Sequence, residues 1–148
     1  MSEMINCDIN IIDREILIES LEEIGIPRNK IEIFEIDNAG EIIGYGSRRA
    51  KAHVIVRRNT LGTSYGDVGF EFIVENNKIT GCKIHLDHAD AHHGICNKIA
   101  PTKIHGSGEL AKIYAKNSIL KEIKRRGAFR LLSNTKDKDK IKIKVSVQ

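Results

Sequence analysis

The stretch that most constrains the fold of this chain is Glu109–Phe129, ELAKIYAKNSILKEIKRRGAF, which predicts one long helix. Ser107 and Gly108 precede it and can supply an N-cap, and Glu109 places a carboxylate at the positive end of the helix dipole. Gly127 suits the left-handed position that commonly ends a helix. The last turn is cationic, as the negative end of the dipole favours, and contains Lys124, Arg125 and Arg126.

Apolar residues recur in two stripes along this predicted helix, about half a turn apart. The first stripe, which Asn117 interrupts, consists of Leu110, Ile113 and Leu120. The second stripe consists of Ala111, Ala115, Ile119 and Ile123. We expect one stripe to cover a sheet and the other to meet a loop, a second helix or another subunit. The sequence therefore predicts a partner interface at Ala115, Ile119 and Ile123.

The rest of the chain alternates between strand patterns and one further helix pattern. Asp13 can cap a helix that runs to Ile24, and Asn76-Asn77 is a plausible hairpin turn because asparagine tolerates positive φ. Alternating apolar residues predict strands at 4–11, 31–36, 41–45, 52–57, 68–75, 78–86, 129–133 and 141–147, with residues 87–108 irregular. This order predicts a single α+β domain over residues 1–148, with a mainly antiparallel sheet of about six to eight strands and two helices on one face.

Several short motifs, in order, resemble a domain family of unknown function that includes a hypothetical reading frame of red-algal plastids and cyanobacteria. The motifs that carry the resemblance are Arg57-Arg58, Asp67-Val68-Gly69-Phe70, Tyr114-Ala115, Asn117-Ser118-Ile119-Leu120, Gly127-Ala128-Phe129 and Ile141–Val145. The resemblance implies a helix with a Tyr-Ala-x-Asn core that is followed by a C-terminal hairpin. The family has no assigned activity, so the resemblance implies no catalytic residue.

Composition narrows the possible classes of protein. Aromatic residues make up 5% of the chain, too few for a platform that stacks single-stranded nucleic acid. The chain contains neither a membrane-length apolar run nor the order of a signal peptide, and its three cysteines are widely spaced, so we expect a cytoplasmic protein with reduced thiols.

The formal charge is split along the chain. Residues 1–45 hold 3 basic and 11 acidic residues, a net of −8, whereas residues 46–148 hold 21 basic and 9 acidic residues, a net of +12. This split predicts either a basic surface for phosphates or oppositely charged ends that meet within or between subunits. The alternative is that the acidic helix and basic strands neutralise each other across the fold.

Four of the six histidines lie within nine residues, between His85 and His93. If this segment stays extended, His88, Asp90 and His92 share one face, and two imidazoles with a carboxylate match the ligands of zinc or non-haem iron. The candidate metal ligands, with zinc as the candidate cofactor, are His85, His88, Asp90, His92 and Cys96, and His105 is a further possible ligand. The alternatives are a solvated polar loop without metal and general acid–base work by a histidine.

Basic residues gather in two places, around the predicted strand at 52–57 and at the end of the long helix. They predict a polyanion-binding surface that contains Arg48, Arg49, Arg57, Arg58, Arg125 and Arg126. No nucleic-acid-binding motif accompanies them, and a solvated cationic face is the alternative.

These patterns favour a non-catalytic binding or assembly module that forms homo-oligomers or docks a protein partner. Two other functions stay open: a small metal-dependent hydrolase that uses the histidine segment, and a nucleic-acid-binding protein that uses the basic face.

Overall fold

A computed structural model describes residues 4–44, 48–62, 65–101, 106–126, 129–137 and 140–147. The strands of this part of the chain are β1 (Met4–Ile9), β2 (Ile31–Ile33), β3 (Gly40–Ile43), β4 (Arg49–Ala52), β5 (Val54–Val56), β6 (Val68–Glu75), β7 (Lys78–Asp87), β8 (Phe129–Asp137) and β9 (Lys140–Val147). Its helices are α1 (Arg14–Glu23), α2 (Arg58–Leu61), α3 (Gly94–Ile99) and α4 (Glu109–Arg126). The predicted α+β class is confirmed.

The strands divide into three sheets. Five of them form an antiparallel sheet in the order β1-β7-β6-β5-β2, while β3 pairs with β4 and β8 pairs with β9. The prediction of six to eight strands in one sheet is therefore not confirmed, since the largest sheet of the described residues has five. Asn76 and Asn77 form the predicted turn between β6 and β7, with φ of 52° and 62°.

The predicted strand at 52–57 divides into β4 and β5 at His53. Its imidazole is buried, with Nδ1 accepting a hydrogen bond from the backbone N–H of Phe72 at 3.0 Å. The protonated Nε2 therefore donates to the carbonyl of Ile36, also at 3.0 Å. The backbone of His53 is paired as well, with its N–H donating to Phe70 and its carbonyl accepting from Phe34, so residue 53 connects the segments on both sides of it.

The two faces of the five-stranded sheet are covered differently. Residues of α1, α3 and α4 share one apolar core with one face, where the buried side chains include Leu17, Phe70 and Leu86. On the other face, Ile42 and Ala52 of the β3–β4 pair pack on Ile55. Gly69 permits this approach because a Cβ there would lie 2.7 Å from the Cβ of Ala52.

Helices α1 and α4 pack against each other over this core. Asp13 caps α1 as predicted, since its Oδ1 accepts a hydrogen bond from the N–H of Ile16 at 3.2 Å. Ser107 was predicted as a possible N-cap of α4, but its hydroxyl donates to the carbonyl of Asn97 and does not cap the helix. Gly127, the predicted C-terminal stop, lies outside the described residues.

Two segments outside the predicted strands contain short helices. Helix α2 lies between the predicted strands at 52–57 and 68–75, and a 3₁₀ turn at His88–Asp90 and helix α3 lie in the segment 87–108 that was predicted to be irregular. Among the helices of the described residues, none is long and apolar enough to cross a membrane.

Candidate functional site

The histidine segment does not have the extended geometry on which the predicted metal site depended. Residues His88–Asp90 form a 3₁₀ turn and Gly94–Ile99 a helix, so the alternation that would place His88, Asp90 and His92 on one face is absent. His88 and His92 are exposed, and their ring centroids lie 6.2 Å apart in an edge-on arrangement.

The remaining predicted ligands take part in other interactions. His85 is buried on β7 with its Nε2 2.9 Å from Oε1 of Glu71, and the buried carboxylate of Asp90 accepts a hydrogen bond from the backbone N–H of Gly66 at 3.1 Å. Cys96 lies in the core, where burial and the nearby charge of Asp90 raise the pKa of its thiol to about 12. The thiol is therefore protonated at neutral pH without metal, and a metal ion that bound there would have to displace this proton.

Within the described ranges, no three His, Cys, Asp or Glu side chains lie close enough together to hold a metal ion. His105 lies outside the described residues. The zinc site stays a prediction, and its geometry cannot be the extended one.

The predicted polyanion-binding Arg57 is instead the centre of an internal cluster of charges. Its guanidinium donates to both carboxylate oxygens of Glu32, at 2.7 and 2.9 Å, to the carbonyl of Glu41 at 2.9 Å and to Oδ2 of Asp67 at 3.1 Å. These hydrogen bonds hold the pKa of Glu32 below its usual value and raise the pKa of Arg57. The buried Asp67 also accepts from the N–H groups of Ile43 and Arg58. The cluster therefore ties the ends of β2, β3 and β5 to the start of β6.

Three of the other predicted polyanion-binding arginines also pair within the chain. Arg49 binds Glu41 at 2.6 Å, while Arg125 and Arg126 share the carboxylate of Glu122 at 2.6 and 2.8 Å. The hydrogen bonds from these two arginines lower the pKa of Glu122 to about 2.

The last two residues of the predicted surface have no ion pair with the described residues: Arg58 is exposed and Arg48 is half-buried. No described contact joins the residues near β4 and β5 to those at the end of α4. The six arginines of the predicted polyanion-binding surface therefore do not form one continuous surface.

The second stripe of α4 borders a groove of about 510 Å³, which we call the α4 groove. It is lined by Asn10, Ile11, Ile12, Ala111, Tyr114, Ala115, Ser118 and Ile119. Ile12 on one wall is 49% exposed and Ile119 on the other is 50% exposed. Ala115 and Ile119 of the predicted interface thus line the groove, whereas Ile123 is half-buried and does not line it.

Tyr114 fixes the two walls of the α4 groove relative to each other. Its hydroxyl oxygen accepts hydrogen bonds from the backbone N–H groups of Ile12 at 3.1 Å and Asp13 at 2.9 Å. Ile12 was not predicted as part of an interface. It lies between the predicted strand at 4–11 and the helix cap Asp13, and this position gives no sign that α4 packs beside it.

A second cavity, of about 310 Å³, lies between α1 and α4. Asn117, which interrupts the first stripe, donates to the Ser20 hydroxyl at 3.2 Å, and Lys121 pairs with Asp13 at 2.7 Å. Lys116 pairs with Glu23 at the same distance. These contacts join the two helices, so we assign this cavity to the packing of α1 on α4.

The fold and these surfaces define an α+β protein that has an exposed apolar groove beside its longest helix. Comparisons of the chain with protein families, curated proteins and solved structures gave no match. The resemblance to the plastid and cyanobacterial family therefore stays a prediction.

Proposed function

We propose that this protein is a non-catalytic binding or assembly module and that the α4 groove is its docking surface. The observation that supports this most directly is the pair of half-exposed isoleucines, Ile12 and Ile119, on opposite walls of one concave surface. Single exposed apolar residues are common on protein surfaces, but adjacent ones that line a groove are typical of interaction sites.

Burial of these two side chains sets a scale for the binding energy. Full burial of an isoleucine contributes about 1.5–3 kcal/mol, so covering the exposed halves of Ile12 and Ile119 contributes about 2 kcal/mol in total. That corresponds to roughly a thirtyfold change in a dissociation constant. Ala111 and Ala115, which also line the groove, add little area, but their small side chains allow a partner to approach the helix closely.

The groove requires little ordering before it can bind. Tyr114 holds the segment at Ile12 and Asp13, and Lys121 holds Asp13 from the same helix. A surface that is already fixed loses less conformational entropy on association, which favours affinity.

Sedimentation velocity over a wide range of protein concentrations tests the proposal for self-assembly. We expect the wild-type protein to associate and Ile119→Asp to weaken that association at least fivefold, since the exposed half of Ile119 accounts for about 1 kcal/mol. The far-UV circular dichroism should be unchanged. Val74→Asp is the matched control, because Val74 is another β-branched residue, 41% exposed, that does not line the groove.

If the wild-type protein is monomeric throughout, the partner is a different protein. A photo-crosslinking residue at position 119 should then capture a specific partner in the native extract, and the same residue at position 74 should not. Equal labelling from both positions, or unfolding of Ile119→Asp, would contradict a docking role for the groove.

A further inference from the structure

The packing of α1 against α4 leaves charged side chains around the cavity of about 310 Å³ that lies between the two helices. Helix α1 lines this cavity with Glu15, Ile16 and Glu19, and helix α4 lines it with Asn117, Leu120, Lys121 and Lys124. The acidic residues of the lining therefore all belong to one helix, and the basic residues all belong to the other.

Half of these charges already have partners that do not line the cavity. The guanidinium of Arg28 donates to the carboxylate of Glu15 at 3.0 Å, and the ammonium group of Lys121 donates to the carboxylate of Asp13 at 2.7 Å. One carboxylate and one ammonium group of the lining are therefore left for a ligand.

These two remaining charges, Glu19 and Lys124, line the same cavity from different helices. Both side chains are exposed, and neither forms a hydrogen bond or an ion pair within the part of the chain that the structure describes. The pKa of Lys121 is raised mainly by its hydrogen bond to Asp13, and the negative charge of Glu19 adds to this effect. The cavity therefore has a negative side and a positive side, and one charge of each remains without a direct partner.

The rest of the lining is apolar except for Asn117, whose side-chain amide already donates to the Ser20 hydroxyl at 3.2 Å. Ile16 is buried and Leu120 is half-buried, so a ligand that covered Leu120 would remove apolar surface from water. Cavities that bind small molecules usually measure about 300–1,000 Å³, and this one is at the small end of that range. It therefore suits a ligand no larger than one or two amino acids.

We propose that the cavity between α1 and α4 binds a small zwitterion with an apolar side chain, either a free amino acid or a dipeptide. The ammonium group of the ligand pairs with Glu19, its carboxylate pairs with Lys124, and its side chain covers Leu120. A phosphate group would meet the carboxylates of α1, and a metal ion would meet the ammonium groups of α4, so neither matches both sides. The cavity shares no lining residue with the α4 groove, so it can be tested independently of the proposed docking function.

Titration of the isotope-labelled full-length protein with leucine, followed by two-dimensional amide NMR, tests the proposal. We expect the amide signals of Glu19 and Leu120 to shift with millimolar leucine, and those of Ile12 and Ile119 in the α4 groove to stay in place. Leucyl-leucine is the second ligand, and the tighter binder of the two identifies the source as a free amino acid or a peptide. Binding should weaken as the salt concentration rises, because both charges of the site are exposed to solvent.

Two analogues of leucine separate the contributions of the two charges. N-acetyl-leucine lacks the ammonium group, and leucine amide lacks the carboxylate. Glu19→Gln should therefore weaken the binding of leucine and of leucine amide but not that of N-acetyl-leucine. Lys124→Gln should weaken the binding of leucine and of N-acetyl-leucine but not that of leucine amide. Each loss should be about two- to fivefold, as expected for one exposed ion pair.

The matched controls, Glu35→Gln and Lys98→Gln, each remove one charge from an exposed residue that does not line the cavity. Both should bind leucine like the wild type. Three results would overturn the proposal: no shift at Glu19 and Leu120 with either ligand, equal affinity for leucine and for N-acetyl-leucine amide, or equal loss of binding in the controls. All four variants change exposed side chains, so their melting temperatures should match that of the wild type. If one cavity variant unfolds, the other decides the outcome with the same two analogues.

Discussion

Replacing Tyr114 by Phe removes one oxygen atom and leaves two backbone N–H groups without their hydrogen-bond acceptor. Those groups belong to Ile12 and Asp13, where the chain passes from β1 into α1, and Tyr114 itself is buried. Each lost hydrogen bond costs about 0.5–1.5 kcal/mol, because the site is only partly buried and water can replace part of the interaction. We therefore expect Tyr114→Phe to lower the free energy of unfolding by about 2 kcal/mol.

Urea unfolding followed by circular dichroism measures this loss, and the melting temperature should fall by about 4–8 °C. Amide exchange should accelerate locally at Ile12 and Asp13. Ser118→Ala is the matched control, since Ser118 lies one turn further along α4 and its hydroxyl donates only to the carbonyl of Tyr114. If the two variants are equally stable, the Tyr114 hydroxyl does not hold the groove together.

Four further outcomes are expected. Leu110→Ala should lower the free energy of unfolding in urea by about 2–5 kcal/mol, because Leu110 is 1% exposed; a loss below about 1 kcal/mol would place it outside the core. The hydrogen bonds from Arg57 lower the pKa of Glu32, so this carboxylate stabilises the fold at a pH above its unfolded pKa, and the stabilisation is lost as the pH falls through its folded pKa. The free energy of unfolding of Glu32→Gln, measured against pH, should therefore decrease less on the acid side than that of the wild type. Cys96, with a pKa of about 12, should react with a thiol reagent at neutral pH only on unfolding, and fast labelling of the native protein would refute its burial. The zinc site predicted from the sequence requires that protein purified without chelator contain zinc, which is lost when His88, Asp90 and His92 are replaced by alanine. Metal-free protein whose melting temperature does not change when zinc is added would refute the site.

Elements whose signals are local could be predicted from the sequence. Both ends of α1 follow from residues within one turn of it: the side chain of Asp13 caps the start, and Gly25, with φ of 114°, ends the helix because it has no Cβ. The turn at Asn76-Asn77 likewise depends on the residues that form it. Such features need no knowledge of the tertiary structure, because their hydrogen bonds and backbone strain lie within a few residues.

Elements that depend on distant partners could not be predicted. His53 has the position of an ordinary strand residue, yet its imidazole binds the backbone at Ile36 and Phe72, and the strand is interrupted there. Asp90 was assigned to a metal site because of its neighbours in the sequence. Its observed partner is the N–H of Gly66, which lies 24 residues earlier in the chain. No periodicity near residue 90 carries that information.

The orientation of α4 about its own axis determines which of its two apolar stripes is exposed, and polar contacts with α1 specify that orientation. Both stripes are apolar enough to be buried, so periodicity alone could not choose between them. The contacts Lys116–Glu23, Asn117–Ser20 and Lys121–Asp13 all lie on the side of the helix that faces α1. Exposed ion pairs contribute little to stability. Together, however, these contacts specify one orientation of α4, in which Ala111, Ala115 and Ile119 line the groove. The opposite charges of the two chain halves thus act partly within the molecule, between α1 and α4.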